Sequence, residues 1–154
     1  MRNYNLLKWL APVTLGLSML CPAAALALDI IDYTPSTSFA LILSTGNPNQ
    51  DLGTVHIQSD SATGWVLLVR STQGGNLSHN THPSAVPYTL TIDGIQVSSL
   101  AGSNDVTVLT TSTLTCPPPI GCTLPVRATA LASNITGKPA GSYTDTLIFT
   151  LINQ

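Results

Sequence analysis

The chain has 154 residues, of which 44% are hydrophobic and only 8% are charged, and its formal net charge at neutral pH is −2. Five Lys and Arg residues against seven Asp and Glu residues argue against nucleic-acid binding, because little here would neutralise a phosphate backbone. The sequence also lacks a Gly-x-Ser-x-Gly nucleophile motif, a phosphate-binding glycine loop and a His-Glu-x-x-His motif. We therefore predict that the protein is not an enzyme and uses no cofactor.

The first 27 residues have the features of a secretory signal peptide. Arg2 and Lys8 give a positive start, residues 9–20 are apolar, and residues 25–27 (Ala-Leu-Ala) match a small-x-small cleavage site. We expect cleavage after Ala27, export through the periplasm to the cell surface or the extracellular space, and no stable membrane anchor afterwards. The alternative is a retained anchor, although the apolar stretch is too short to span a bilayer comfortably.

Removal of a signal peptide would take away Cys21 and leave two cysteines, Cys116 and Cys122. Such a pair in an exported protein most often forms a disulfide, and the prolines between the two cysteines favour a bent loop. Two cysteines are too few for a zinc site with four ligands. His79 and His82 lie in a polar stretch with no neighbouring carboxylates, which favours a solvated loop over a metal site.

Short segments with strand periodicity follow one another along the rest of the chain. The first three predicted strands are the apolar run 39–43, the alternating segment 52–59 and the run 65–69. Apolar residues alternate again at 86–92, 105–111 and 124–130, and the last predicted strand covers 143–151. No window shows a helical apolar stripe, and a loop is expected at 134–142. The pattern predicts an all-β fold, an immunoglobulin-like β-sandwich over residues 39–154.

A short N-terminal extension, residues 28–38, precedes the first predicted strand. Leu28 and Ile30 alternate on one side of it, and Ile31 and Tyr33 on the other. Pro35 separates this apolar segment from the strand that follows.

Four motifs occur in a fixed order from about residue 52 to residue 151. A Gly-aromatic turn leads into alternating apolar residues and Ser, and a glycine-rich turn is followed by Leu. A Tyr-x-Leu strand then closes with Gly, and a Gly-x-Tyr-x-Asp-Thr segment precedes the last strand. The residues are Gly64, Trp65, Leu67, Val69 and Ser71; Gly74, Gly75 and Leu77; Tyr88, Leu90 and Gly94; and Gly141, Tyr143, Asp145 and Thr146. This set resembles the spore coat protein U and archaic chaperone–usher pilin family.

The resemblance implies an incomplete immunoglobulin-like domain that lacks its last strand. A periplasmic chaperone and then the N-terminal extension of the next subunit would supply that strand, in a process of donor-strand exchange. The implied function is that of a structural subunit of a pilus (fimbrium) or surface coat, with a chaperone, an outer-membrane usher and like subunits as partners. The expected donor-strand residues are Leu28, Ile30, Ile31 and Tyr33, and the expected groove residues of the terminal strand are Tyr143, Leu147, Phe149 and Leu151.

Two alternatives stay open. In the first, residues 28–33 form an edge strand of their own domain rather than a donor. In the second, the protein is a self-contained secreted binding module, such as an adhesin or a carbohydrate-binding sandwich. Trp65 and Tyr88 would be candidate sugar-binding aromatic residues in the second case, although aromatic residues in alternating strands more often belong to the core.

Overall fold

The computed structural model describes residues 29–35 and 45–154, so the predicted signal peptide and the predicted strand 39–43 lie outside the described residues. The described strands are β1 (Asp29–Pro35), β2 (Asn47–Ser59), β3 (Trp65–Ser71), β4 (Asn76–His79), β5 (Ala85–Pro87), β6 (Thr89–Ile92), β7 (Ile95–Gln96), β8 (Val106–Thr110), β9 (Cys122–Ala130), β10 (Tyr143–Thr144) and β11 (Leu147–Asn153). A 3₁₀ helix (Ala101–Ser103) and a single α-helical turn, α1 (Ala132–Ile135), complete the described elements.

The strands form three antiparallel sheets. The first sheet has the order β1-β2-β9-β6-β7, the second has the order β11-β3-β8, and the third has the order β10-β4-β5. The first and second sheets contribute side chains to one shared hydrophobic core. The predicted all-β sandwich is therefore confirmed.

The core follows from the period of two along the central strands. In β3 every second residue is buried, and the same alternation holds over residues 53–59 of β2 and 124–130 of β9. Burying each large apolar side chain contributes roughly 1.5–3 kcal/mol, so these strands supply most of the driving force for packing. The main core residues are Val55, Ile57, Trp65, Leu67, Val69, Leu90, Ile92, Leu124 and Val126.

Trp65 belongs to this core, since only 3% of it is exposed. Its indole N–H donates to the carbonyl oxygen of Thr115 at 3.3 Å, which satisfies its single polar group. Trp65 is therefore not available as a sugar-binding surface, and the prediction that it is a core residue is confirmed.

The predicted strand 86–92 is divided into two strands at Tyr88. Its first part, β5, pairs with β4 in the third sheet, and its second part, β6, pairs with β9 in the first sheet. Pro87 has no N–H to donate to a strand ladder, which favours a break there. The N–H of Tyr88 donates instead to the carbonyl of Gly75 at 3.1 Å.

The predicted terminal strand is also divided. Tyr143 and Thr144 form β10, which pairs with β4, whereas β11 pairs with β3. Between the two strands, the Asp145 carboxylate accepts the N–H of Thr146 at 2.7 Å. This local hydrogen bond replaces a ladder bond and lets the chain pass from the third sheet to the second.

The turn α1 was not predicted by the sequence pattern. Ile135 is buried beside Val86 and Ala130, and this second cluster also includes Tyr143 and Leu77 as partly buried members. A single helical turn carries too few residues to show a helical period, which is why periodicity misses it.

We expect Gly64 to be essential for the turn that leads into β3. Its φ is +91°, and a Cβ atom there would lie 2.2 Å from the carbonyl oxygen of Thr111. Gly94 also has a positive φ, +78°, but has nothing within 4 Å of a Cβ. Gly94→Ala should therefore cost about 1 kcal/mol of unfolding free energy, whereas Gly64→Ala should cost about 2 kcal/mol more because of overpacking. Urea unfolding of both variants measures the difference, and equal losses would contradict it.

Candidate functional site

The strand β11 is the outer strand of the second sheet within the described part of the chain. It pairs along its whole length with β3, from Leu147 opposite Ser71 to Asn153 opposite Trp65. Thr72 extends the pairing at one end by donating its N–H to the carbonyl of Thr146 at 2.9 Å. One edge of β11 is thus fully used by its own sheet.

The inner face of β11 is covered less completely than that of β3. Leu147 and Leu151 lie opposite Ser71 and Leu67, which are both fully buried. Leu147 and Leu151 pack against the same core but remain only partly buried, and no residue of β11 is fully buried. The core is therefore thinly covered along β11.

The N-terminal strand β1 belongs to the first sheet. It pairs with β2 from Asp29 opposite Ser59 to Pro35 opposite Gly53. Ile31 packs against the main core, whereas Asp32 is exposed. In this structure residues 29–35 therefore form an edge strand of their own domain, as one of the two alternatives predicted.

Strands β1 and β11 lie next to each other along one side of the sandwich, one at the edge of each sheet. We call this side of the molecule, formed by β1 and β11, the seam. Ile31 from β1 joins Leu147, Phe149 and Leu151 from β11 in covering the same core. Because β1 hydrogen-bonds to β2, it completes the first sheet and adds no strand to the sheet of β11.

The predicted site residues are thus distributed over several places. Leu147, Phe149 and Leu151 share the seam, whereas Tyr143 lies in the second cluster. Of the predicted donor residues, Ile31 faces the core. Leu28 and the side chains of Ile30 and Tyr33 lie outside the described residues.

A carboxylate that the sequence analysis did not single out as a hub fixes the start of β11. Asp145 Oδ2 accepts hydrogen bonds from the hydroxyl groups of Ser71 and Tyr88, each at 2.6 Å. Its Oδ1 accepts the N–H groups of Gln73 at 3.1 Å and Thr146 at 2.7 Å. Hydrogen bonds to a charged group are stronger than neutral ones, so this network holds β11 in register with the end of β3.

A signal for this hub does exist in the sequence. Asp145 is the only charged residue between Pro139 and Gln154. A lone carboxylate just before an apolar strand needs several donors, and the Gly-x-Tyr-x-Asp-Thr motif contains it. The sequence could not identify Ser71 and Tyr88 as partners of Asp145, because they lie 74 and 57 positions away.

Tyr88 is protonated in this network. Burial raises the pKa of its phenol well above the ordinary value of about 10, and the hydrogen bond and negative charge of Asp145 raise it further. The phenol therefore acts as a donor and not as an acid. Its half-buried ring and engaged hydroxyl make Tyr88 a structural residue.

The predicted disulfide is confirmed. Cys116 and Cys122 are joined by a bond of 2.05 Å, with their Cα atoms 4.9 Å apart. The loop is attached to the end of β2, where the N–H of Ser59 donates to the carbonyl of Cys116 at 3.1 Å. The carbonyl oxygen of Pro119 accepts the side-chain amide of Gln58 at 3.1 Å.

His79 forms hydrogen bonds within its own region of the fold. Its Nδ1 accepts the N–H of Thr81 at 3.1 Å, and its Nε2 lies 3.2 Å from the carbonyl oxygen of Ala140. Its ring meets that of Tyr143 edge to face at 4.9 Å. Within residues 29–35 and 45–154, no three His, Cys, Asp or Glu side chains are grouped so that they could bind a metal ion.

The described ranges contain no helix with the length and apolar character needed to cross a membrane. Neither the protein-family models nor the curated proteins gave a match to this sequence.

The raised pKa of Tyr88 predicts a loss of stability at alkaline pH. Above pH ~10 a tyrosine in the unfolded chain loses its proton, whereas folded Tyr88 keeps it, so unfolding releases a proton. The unfolding free energy should therefore fall by about 1.4 kcal/mol per pH unit through this residue. Urea unfolding between pH 9 and 11 should show this component in the unmodified protein and in Tyr143→Phe, but not in Tyr88→Phe. An equal pH slope in all three would contradict the prediction.

Proposed function

We propose that the protein is a structural subunit of an exported fibre, such as a pilus, or of a surface coat, assembled by adding a strand from another chain to β11. The observation that carries this proposal is the partial burial of the inner residues of β11, which is the outer one of the three described strands of its sheet. The order of motifs that resembles the spore coat protein U and pilin family supports the same function.

The backbone of β11 is oriented for such an addition. Thr72 donates to the carbonyl of Thr146, and Gln154 donates to the carbonyl of Gly64, so the even-numbered residues point their polar groups toward β3. In an antiparallel ladder the odd-numbered residues then direct theirs to the other side. The N–H and C=O groups of Leu147 and Leu151 therefore face the outer edge, where an incoming strand would bind.

Strand addition would also bury side chains along the seam. An added strand with alternating apolar residues covers the partly exposed Leu147 and Leu151 while it pairs with the backbone. At about 25 cal/mol per Å², three or four inserted large side chains would contribute roughly 5–10 kcal/mol.

The proposed donor is the N-terminal extension, residues 28–38. In the isolated chain its residues 29–35 pair with β2, so donation requires β1 to leave its own domain. That step costs the pairing with β2 and the burial of Ile31. Insertion beside β11 of a neighbour returns strand pairing and apolar burial and also covers a seam that β1 leaves thinly covered. By resemblance, a periplasmic chaperone would occupy the seam first, an outer-membrane usher would then guide subunit exchange, and like subunits would form the fibre.

A second candidate is the self-contained binding module. The pairing of β1 with its own β2 favours it, because the N-terminal segment is then part of a finished domain. It differs from the first candidate in one respect that can be tested: a finished domain does not accept an added strand.

We expect a synthetic peptide of residues 28–38 to bind at β11 of the mature chain, which begins at residue 28 after the expected cleavage. Binding should follow from strand pairing and from apolar insertion, so a peptide with Ile31→Asp and Ile30→Asp should bind at least about tenfold more weakly, a difference of 1.4 kcal/mol. Fluorescence anisotropy of labelled peptides measures both affinities. No binding by either peptide, together with a monomeric mature chain in sedimentation, would overturn strand exchange and favour the binding module.

We also expect Phe149 to be required for accumulation of the folded protein. Phe149→Asp places a charge against the main core and should prevent stable export, because even a partly desolvated carboxylate packed on apolar side chains is costly. Thr150→Asp is the matched control, since the neighbouring side chain points away from the core on the same strand. Immunoblots of exported protein compare the two variants, and normal levels of Phe149→Asp would count against the role of this residue.

A further inference from the structure

Strand β1 occupies space that a strand added to β11 would need. The Cα atoms of β1 and β11 approach within 8 Å of one another, which is closer than the distance of about 10 Å that usually separates two facing sheets. A strand that pairs with β11 lies about 4.8 Å from it and needs a similar distance from any strand on its other side. The gap is too narrow for both distances, so no strand fits between β1 and β11 while β1 is in place.

Strand β1 also covers part of the apolar surface that an added strand would bury. Ile31 packs against the main core, against which the partly buried Leu147 and Leu151 of β11 also pack. On β2, Ile31 lies opposite Ile57, which is fully buried. The inner side chains of β1 and β11 therefore meet over one core, and an incoming apolar side chain would compete with Ile31 for the same surface.

The described contacts that hold β1 are those of an edge strand. Its pairing with β2 runs over seven residues, from Asp29 to Pro35. Of the β1 side chains that the structure describes, Ile31 packs against the core, whereas Asp32 and Thr34 are exposed. Edge segments of this kind open more readily than central strands, because segments with few buried apolar contacts have the lowest local stability.

We infer that β1 is an autoinhibitory strand, which in its own domain blocks the addition of another strand to β11. The inference rests on the proposed function and states how that site is regulated. In the closed form, with β1 paired to β2, a copy neither donates its N-terminal strand nor accepts one. When β1 leaves to join a neighbour, it uncovers β11 of its own copy, so donating a strand and accepting one are coupled.

This coupling gives assembly a direction. A copy becomes an acceptor only after it has released its own β1, so the fibre extends through copies that have already opened. The apparent affinity of β11 for an added strand is then the intrinsic affinity multiplied by the fraction of copies in which β1 has left. Holding β1 on β2 should therefore lower that affinity, and weakening its hold should raise it.

A disulfide that fixes β1 on β2 tests the inference. Thr34 and Thr54 lie directly opposite each other. Opposite residues of an antiparallel pair have Cα atoms about 4.5–5.5 Å apart, which a disulfide can bridge. The variant Thr34→Cys/Thr54→Cys is oxidised, and peptide mapping by mass spectrometry verifies that positions 34 and 54 are joined and that Cys116 and Cys122 remain joined. The matched control, Thr34→Ser/Thr54→Ser, has side chains of similar size and cannot form the bridge.

Fluorescence anisotropy measures the binding of the labelled peptide of residues 28–38 to both variants, after the emission of the buried Trp65 has verified that they fold alike. The oxidised variant should bind the peptide at least about tenfold more weakly than the serine control, because its open fraction is removed. Equal affinities would overturn the autoinhibitory role and leave strand addition to β11 in place. No binding to either variant would overturn strand addition itself, and this inference with it.

A second variant should change the affinity in the opposite direction and needs no engineered disulfide. Ile31→Asp in the protein weakens the packing of β1 on the core, so the unmodified peptide should bind at least about threefold more tightly than it binds the unmodified protein. Thr34→Asp is the control, since Thr34 is exposed on the opposite face of the same strand. An affinity of Ile31→Asp no higher than that of Thr34→Asp would overturn the inference.

Discussion

The pairing of β11 with β3 is the interaction on which the second sheet depends. Strand β3 is the middle strand of that sheet, and every second residue of it is buried in the core. Strand β11 lies beside it, and its residues are only partly buried. Asp145 determines where this pairing begins, because its carboxylate gathers donors from the end of β3, from Tyr88 and from Thr146. A partly buried polar network of this kind is costly when only some of its groups are bonded, so it favours a single register for β11.

The consequence is an asymmetry between the two sheets at the seam. Among the described strands, the first sheet ends in β1, a strand from the N-terminal extension, and the second ends in β11, which carries partly buried apolar residues. Apolar core side chains that are partly exposed at the edge of a sandwich are stabilised when another segment covers them, either from the same chain or from another chain. The proposed fibre subunit and the self-contained module differ only in where that cover comes from.

The sequence by itself determined the fold class, the disulfide pair and most strand positions, because alternation of apolar residues and cysteine count are local properties. The segments 52–59, 65–69 and 124–130 reappear within β2, β3 and β9 with the predicted faces buried. Only the tertiary structure decided that the segments 86–92 and 143–151 are each divided between two sheets, since the choice of partner strand depends on distant residues such as Gly75 and Ser71. It also decided that β1 pairs with β2 and that Asp145 bonds to Tyr88, because such long-range pairings leave no periodic trace in the chain.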